Sequence, residues 1–243
     1  MAAEADAMVR RLAALDEGPM RARAAGRRLA RMPPERAARV LDALLARGAD
    51  ASPALTAVGQ ALADAKGGLG YERRADLYAA AASLGLSQVT ALLLAPGPRR
   101  VYEEPRDKAD PRLAHLSLGH KKALARMRRD PDLIARLVAE GEPAVVRELL
   151  RNPQLTEPLA VRIAARRPVR PETLRCLYEE RRWRNRRAVR LALARNPYVE
   201  TEIALQILPT LAARELDEIA VDGSLHAAVR SLAARIAARR LSG

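Results

Sequence analysis

Residues 181–195 read RRWRNRRAVRLALAR, seven arginines and the chain's only tryptophan within fifteen positions. Guanidinium groups offer paired N–H donors that match a carboxylate or a phosphate, and neutralising phosphates releases their counterions. On a helix reaching back to Arg182, the side chains of Arg182, Arg186 and Arg190 share one face, with Arg187 beside them. Val189, Ala192 and Leu193 then fill the opposite side. Upstream, Arg162 and Arg166 repeat the i,i+4 spacing, and Arg167, Arg170 and Arg175 follow closely. Trp183 carries the kind of ring on which a base stacks. Two plainer readings compete. Arg stems cover apolar helix surface while their heads stay wet, and Glu179 and Glu180 are near enough to pair with them. Trp183 equally suits a corner-filling core position.

Other chemistry finds little material. His115 and His120 are five apart with no Cys partner and no HExxH pattern, and His226 is distant; isolated histidines of this kind read as surface or cap residues. Cys176, in ETLRCLYE beside Leu174 and Leu177, reads as a small apolar filler. A single cysteine closes no internal disulfide and supplies no cluster. GxSxG, Walker and GxGxxG patterns are absent, and KGGLG at 66–70 reads as a helix-breaking loop. The acid pairs Glu103-Glu104 and Glu179-Glu180 fall in a linker and at a helix end, where carboxylates are usually solvated. We expect no catalytic residues, no metal and no cofactor.

The elements that position the arginines must be helices. The 243-residue chain is 49% hydrophobic but only 2% aromatic, with no Phe, so Ala, Leu and Val supply its core. Small helix formers suit closely packed helices, and the aromatic and β-branched runs that argue for strands are missing. The net charge of +14 is mostly arginine, since only four of the 43 basic residues are Lys. Arg, Ala, Gly and Pro together are what a GC-rich genome produces, so distribution informs more than abundance. Residues 1–110 carry 17 basic and 14 acidic groups, net +3, against 26 and 15, net +11, in the remainder. Residues 159–196 hold 12 Arg and three Glu, net +9. No stretch approaches the roughly 18 apolar residues of a membrane span. The N-terminal AAEADAMVRRLAALDEG carries both charge signs where a signal peptide needs an apolar run. A soluble, cytoplasmic protein with no membrane partner is expected.

Gly and Pro cut the first half into short helices at about 3–15, 20–31, 34–47, 52–66, 71–84 and 87–94. In PPERAARVLDALLARG, Pro opens the helix, Val40, Leu41, Leu44 and Leu45 share a face, and Gly48 closes it. The segment APGPRRVYEEPRDKADP, 95–111, has four prolines in 17 residues. It reads as an extended linker or as a long loop within one array. Beyond it one phrase recurs: RDPDLIARL from 129, RNPQLTEPL from 151 and RNPYVETEI from 195, spaced 22 and then 44. Proline disfavours the helical conformation of the residue before it, and Asn replaces the lost bonds locally. Helices are expected at about 130–141, 143–152, 156–165, 171–179, 185–194, 201–208, 213–220 and 225–239. Spacing of this kind with two helices per unit is the signature of a stacked solenoid.

The stretch DPDLIARLVAEGEPAVVRELLRNP resembles the leucine-rich variant repeat and its HEAT-like relatives over residues 129–240. Val146-Arg147 and Val189-Arg190 match the Val-Arg slot, and Asn152-Pro153 and Asn196-Pro197 match the stop. The division of the 44-residue interval at Pro168, into 15 and 29, departs from a regular unit. The iron–sulfur cluster of one member of that group is not carried over to a chain with Cys176 alone. The resemblance implies an all-α, right-handed α-solenoid of stacked helix pairs, without naming an activity. The expected organisation is an N-terminal helical region, 1–94, a Pro-rich linker, 95–111, and a HEAT-like repeat domain, 112–243. The expected function is a non-enzymatic interaction scaffold. Arg162, Arg166, Arg182, Trp183, Arg186, Arg187 and Arg190 would bind an acidic partner, most readily a protein surface. Nucleic acid, held through its phosphates by the same arginines, is the alternative.

Overall fold

A computed structural model describes residues 2–15, 18–63, 69–94, 98–103, 110–127 and 130–241. These are helical nearly throughout, with seventeen α-helices, two 3-10 turns and no strand among the described residues. The first six helices are α1 (Ala2–Ala13), α2 (Gly18–Arg31), α3 (Pro34–Arg47), α4 (Ser52–Ala63), α5 (Tyr71–Ser83) and α6 (Ser87–Leu93). Next come α7 (Pro111–Ala114), α8 (Leu118–Met127), α9 (Pro131–Glu140), α10 (Pro143–Arg151), α11 (Glu157–Ala165), α12 (Pro171–Glu179), α13 (Arg181–Arg184) and α14 (Arg187–Ala194). The chain ends with α15 (Thr201–Ile207), α16 (Ala213–Val221) and α17 (Ala227–Leu241). No helix among the described residues is long and apolar enough to cross a membrane.

The helices gather into two compact units, one of residues 1–97 with 201–243, the other of residues 98–200. In the first, α2 packs on α4 and α3 on α5 through alanines and leucines. Ala37, Ala38, Ala54, Leu41 and Leu44 are fully buried there. Small side chains at such contacts let helix axes approach closely.

The expected repeat domain of 112–243 is not one compact unit, because α15, α16 and α17 belong with the first hundred residues. The reason is the composition of α15. Ile203, Ala204, Leu205 and Ile207 are all buried, which a single neighbouring layer cannot achieve, and α4, α6 and α17 surround it. Arg239 fastens α17 to α3 through a two-pronged pair with Asp42 at 2.7 and 3.0 Å.

In the second unit the packing alternates along the chain. Helix α10 lies against both α8 and α12, and α11 against both α9 and α14. Each helix is at most ten residues long and is marginal in isolation, so its stability comes from these neighbours. The described part of the expected linker belongs here too. Arg100 donates its N–H to Pro197 O at 3.1 Å, and Arg170 sits over the Tyr102 ring at 5.6 Å. Pro111 already opens α7, with Asp110 as its cap. Residues 95–97 and 104–109 of that stretch lie outside the described residues, as do Arg129 and 66–68 of KGGLG.

The recurring punctuation has one local geometry and two uses. At Asp110-Pro111, Asp130-Pro131, Asn152-Pro153 and Asn196-Pro197 the side-chain oxygen accepts the N–H two residues on, at 2.8–3.0 Å. Asp130 opens α9, whereas Asn152 closes α10, so the first spacing of 22 joins unlike positions. The two asparagines are alike. Asn152 is 2% exposed and donates from Nδ2 to Ala125 O, at the end of α8, at 2.8 Å. Asn196 is 1% exposed and donates to Ala164 O and Arg166 O, at the end of α11, at 2.7 and 2.9 Å. Each therefore ties the end of its own helix to the end of an earlier one. The interval of 44 separates two equivalent clamps, α8 through α10 and α11 through α14.

Candidate functional site

The arginine segment does not form one helix. Asn185 caps the end of α13, Arg186 is extended at φ −77°, ψ 124°, and α14 starts at Arg187. The helix expected at 185–194 does not reach back to Arg182, so Arg182, Arg186 and Arg190 do not line a single helical face. Asn readily trades helical bonds for local ones, which favours the break at 185. Trp183 fixes its location. The indole is 2% exposed and donates its N–H to Leu150 O, at the end of α10, at 2.8 Å. A base has no access to that ring, so Trp183 leaves the expected partner surface and serves as packing.

Several of the expected partner-binding arginines are engaged within the chain. Arg182 lies 4.4 Å over the Trp183 ring and donates to the carbonyls of Asn152, Pro153 and Leu155 at 2.9, 3.3 and 3.0 Å. Those carbonyls belong to the turn that follows α10, where Asn152 O also accepts the Leu155 N–H. Arg166 is not the outward partner of Arg162. It caps α11, donates to Val138 O near the end of α9 at 3.3 Å, and burial pushes its guanidinium below the usual pKa. Arg190 is half-buried and donates to Asn185 O at 3.4 Å. Arg162, on α11, and Arg187, in the first turn of α14, are exposed. Arg186 is exposed and pairs loosely with Glu157 at 3.6 Å.

Neighbouring arginines follow the same habit. Arg167 donates to Arg195 O, Arg170 pairs with Glu142 at 2.6 Å, and Arg175 pairs with Glu200. The first unit uses guanidinium caps as well. Arg73 serves Leu29 O and Met32 O, Arg74 serves Leu62 O, and Arg240 serves Pro209 O and Leu211 O. A planar fork with five N–H groups suits clustered carbonyls at a helix end better than an ammonium does.

In the second unit, arginines converge on an opening. Arg181, Arg182, Asn185, Arg186 and Glu180 surround an open cavity of about 570 Å³. Three guanidinium groups against one carboxylate leave this wall at net +2. Arg181, Arg182 and Arg186 are all exposed, and Arg182 is held by its three carbonyl bonds. An anionic group is what such a wall attracts. Sequence reasoning placed Arg182 and Arg186 here but missed Arg181, Asn185 and Glu180. The helix break that brings them together has one visible signal, the Asn at 185 between two arginine pairs.

The remaining candidates have structural places. His120 Nδ1 lies 3.0 Å from Ser117 Oγ at the start of α8, His226 Nδ1 accepts Ala228 N–H at 3.1 Å, and His115 caps α7. Cys176 is buried, with Arg147 Nη2 at 3.5 Å from its sulfur. Among the described residues no group of three His, Cys, Asp or Glu is arranged to hold a metal ion. Comparison with known protein families, curated proteins and solved structures yields no match.

Proposed function

We propose that this chain is a non-enzymatic interaction module, cytoplasmic in location, that binds an acidic partner protein through the cavity at Arg181, Arg182 and Arg186. Its framework is a short right-handed stack of HEAT-like helix units over α8–α14. The alternating contacts of α8, α10 and α12, and of α9, α11 and α14, support that framework. The observation that carries the binding role is the convergence of three guanidinium groups on one opening. Arg182 acts as a positioning residue, and Arg181 and Arg186 make the contact. Exposed charges of one sign steer a partner of the opposite sign.

The test compares the full chain with an Arg181→Glu/Arg186→Glu variant in capture of partners from a native extract. The variant keeps its melting temperature and loses recovery at least about tenfold, in keeping with reversal of two interfacial charges. Equal recovery by the two proteins removes the cavity from the interface.

A further inference from the structure

We infer that the outward face of α2, in the first unit, is a sequence-independent docking site for the phosphate backbone of duplex nucleic acid, with Arg23, Arg27 and Arg31 as its contacts. The inference does not rest on the cavity proposed above. Helix α2 buries Ala25 and Leu29 completely and leaves Arg23, Arg27 and Arg31 exposed. Among the described residues none holds these three by a hydrogen bond, an ion pair or a ring contact. Arginines of the second unit differ, since Arg182 and Arg167 serve carbonyls and Arg170 and Arg175 serve carboxylates.

Residues four apart rise about 6 Å along a helix, so the three guanidinium groups form a row whose step is of the order of that between neighbouring phosphates of a strand. The surroundings keep one sign. No Asp or Glu lies in α2, and α4, against which it packs, carries no charged residue. On α1, which also packs beside it, Glu4 and Asp6 are taken by Arg36 and Arg47 of α3. Arg10 and Arg11, exposed in the last turn of α1, add positive charge. A protein partner needs more than charge, because protein interfaces centre on aromatic or apolar anchors and keep charges out of their cores. The apolar residues on this face are Ala24, Ala30 and Met20, the last 48% exposed, and none is aromatic. A membrane needs an apolar helix face to insert, and that of α2 is in the core. A regular row of like charges with little apolar surface to bury matches a backbone of regular charges. Without an aromatic side chain the helix has no platform for unstacked bases, which favours a duplex over a single strand.

The experiment titrates the full chain into a fluorescein-labelled DNA duplex of random sequence, followed by anisotropy, at salt from about 50 to about 200 mM. Three phosphate contacts give a slope of log affinity on log salt of about −2.7, a loss of about fortyfold over that range. Arg27→Gln makes the slope shallower by about 0.9. Arg23→Gln/Arg27→Gln/Arg31→Gln weakens binding at low salt at least about tenfold. A control of the same net charge at exposed positions elsewhere, Arg39→Gln/Arg99→Gln/Arg214→Gln, stays within about twofold of wild type. Each variant is checked by thermal melting. If the triple Gln variant melts early, Arg27→Gln and Arg23→Lys/Arg27→Lys/Arg31→Lys carry the comparison, the second keeping the wild-type slope because it keeps the charge. No anisotropy change with wild type at low salt, undiminished affinity of the triple Gln variant, or equal weakening by the control overturns the site. So does tighter binding to poly-glutamate, or to vesicles of about 30% phosphatidylserine, than to the duplex; an acidic protein or a membrane surface is then the partner.

Discussion

Asn152 and Asp130 occupy the same turn geometry, yet they are not exchangeable. Both side-chain oxygens accept an N–H two residues on, but only the amide of Asn152 also has a proton for Ala125 O. Asn152→Asp would bury a carboxylate facing a carbonyl at a site 2% exposed. We expect it to cost about 3 kcal/mol in urea unfolding, while Asp130→Asn, at an exposed turn, stays within about 0.5 kcal/mol. The local half of this bond was legible in the Asn-Pro dipeptide. The other half was not, because its acceptor lies 27 residues away, and 30 and 32 away for Asn196. Trp183 teaches the same lesson. An aromatic among arginines suggests stacking, and only the position of Leu150 O reveals a packing residue. Trp183→Ala is expected to destabilise by about 3–5 kcal/mol, measured in the same way.

Helix ends explain much of the arginine content. Arg182 covers three carbonyls beyond α10, which a single ammonium cannot reproduce. Arg182→Lys should therefore lower stability in denaturant unfolding by about 1–2 kcal/mol, whereas Arg186→Lys, whose side chain makes a loose surface pair with Glu157, should leave it unchanged. At the end of α9, Gly141 adopts φ +70°, and a Cβ there would stand 2.7 Å from Arg166 Nη1. Gly141→Ala should cost about 1–2 kcal/mol, from the left-handed backbone and the displaced cap. At the start of α7, the Arg136 guanidinium and then the Arg112 N–H hold the Asp110 carboxyl below its ordinary value of 3.8. A carboxyl whose pKa is lower folded than unfolded contributes stability that is complete above the unfolded value and lost as pH falls through the folded one. Thermal melts should thus fall below about pH 4, and Asp110→Asn should flatten that part of the profile. Helix positions were largely readable from Pro, Gly and apolar spacing; residues 171–179 are helical as expected. The helix expected at 185–194 starts two residues later, at Arg187, whereas the four-residue α13 before it was not expected. The short α7, together with α8, had no expectation at all, because 112–128 lacks the Pro-delimited pattern of its neighbours.

At the scale of the molecule, an all-helical chain was legible from its Ala and Leu content and its few aromatics. The grouping of its helices was not. The Pro-rich stretch looked like a boundary between an N-terminal region and everything after it, but proline reports where a helix stops, not which helices share a core. What decided the grouping was the all-round burial of α15, which a sequence window sees only as seven residues, TEIALQI. The first unit is consequently written in two instalments, with the whole of the second unit between them. A ribosome would release residues 1–97 long before Arg239 exists to meet Asp42, leaving a half-built core exposed to chaperones and proteases for over a hundred residues of synthesis. A chain stopped after Glu200 should accordingly be degraded early in limited proteolysis within its first hundred residues, and a supplied peptide of residues 201–241 should restore their resistance.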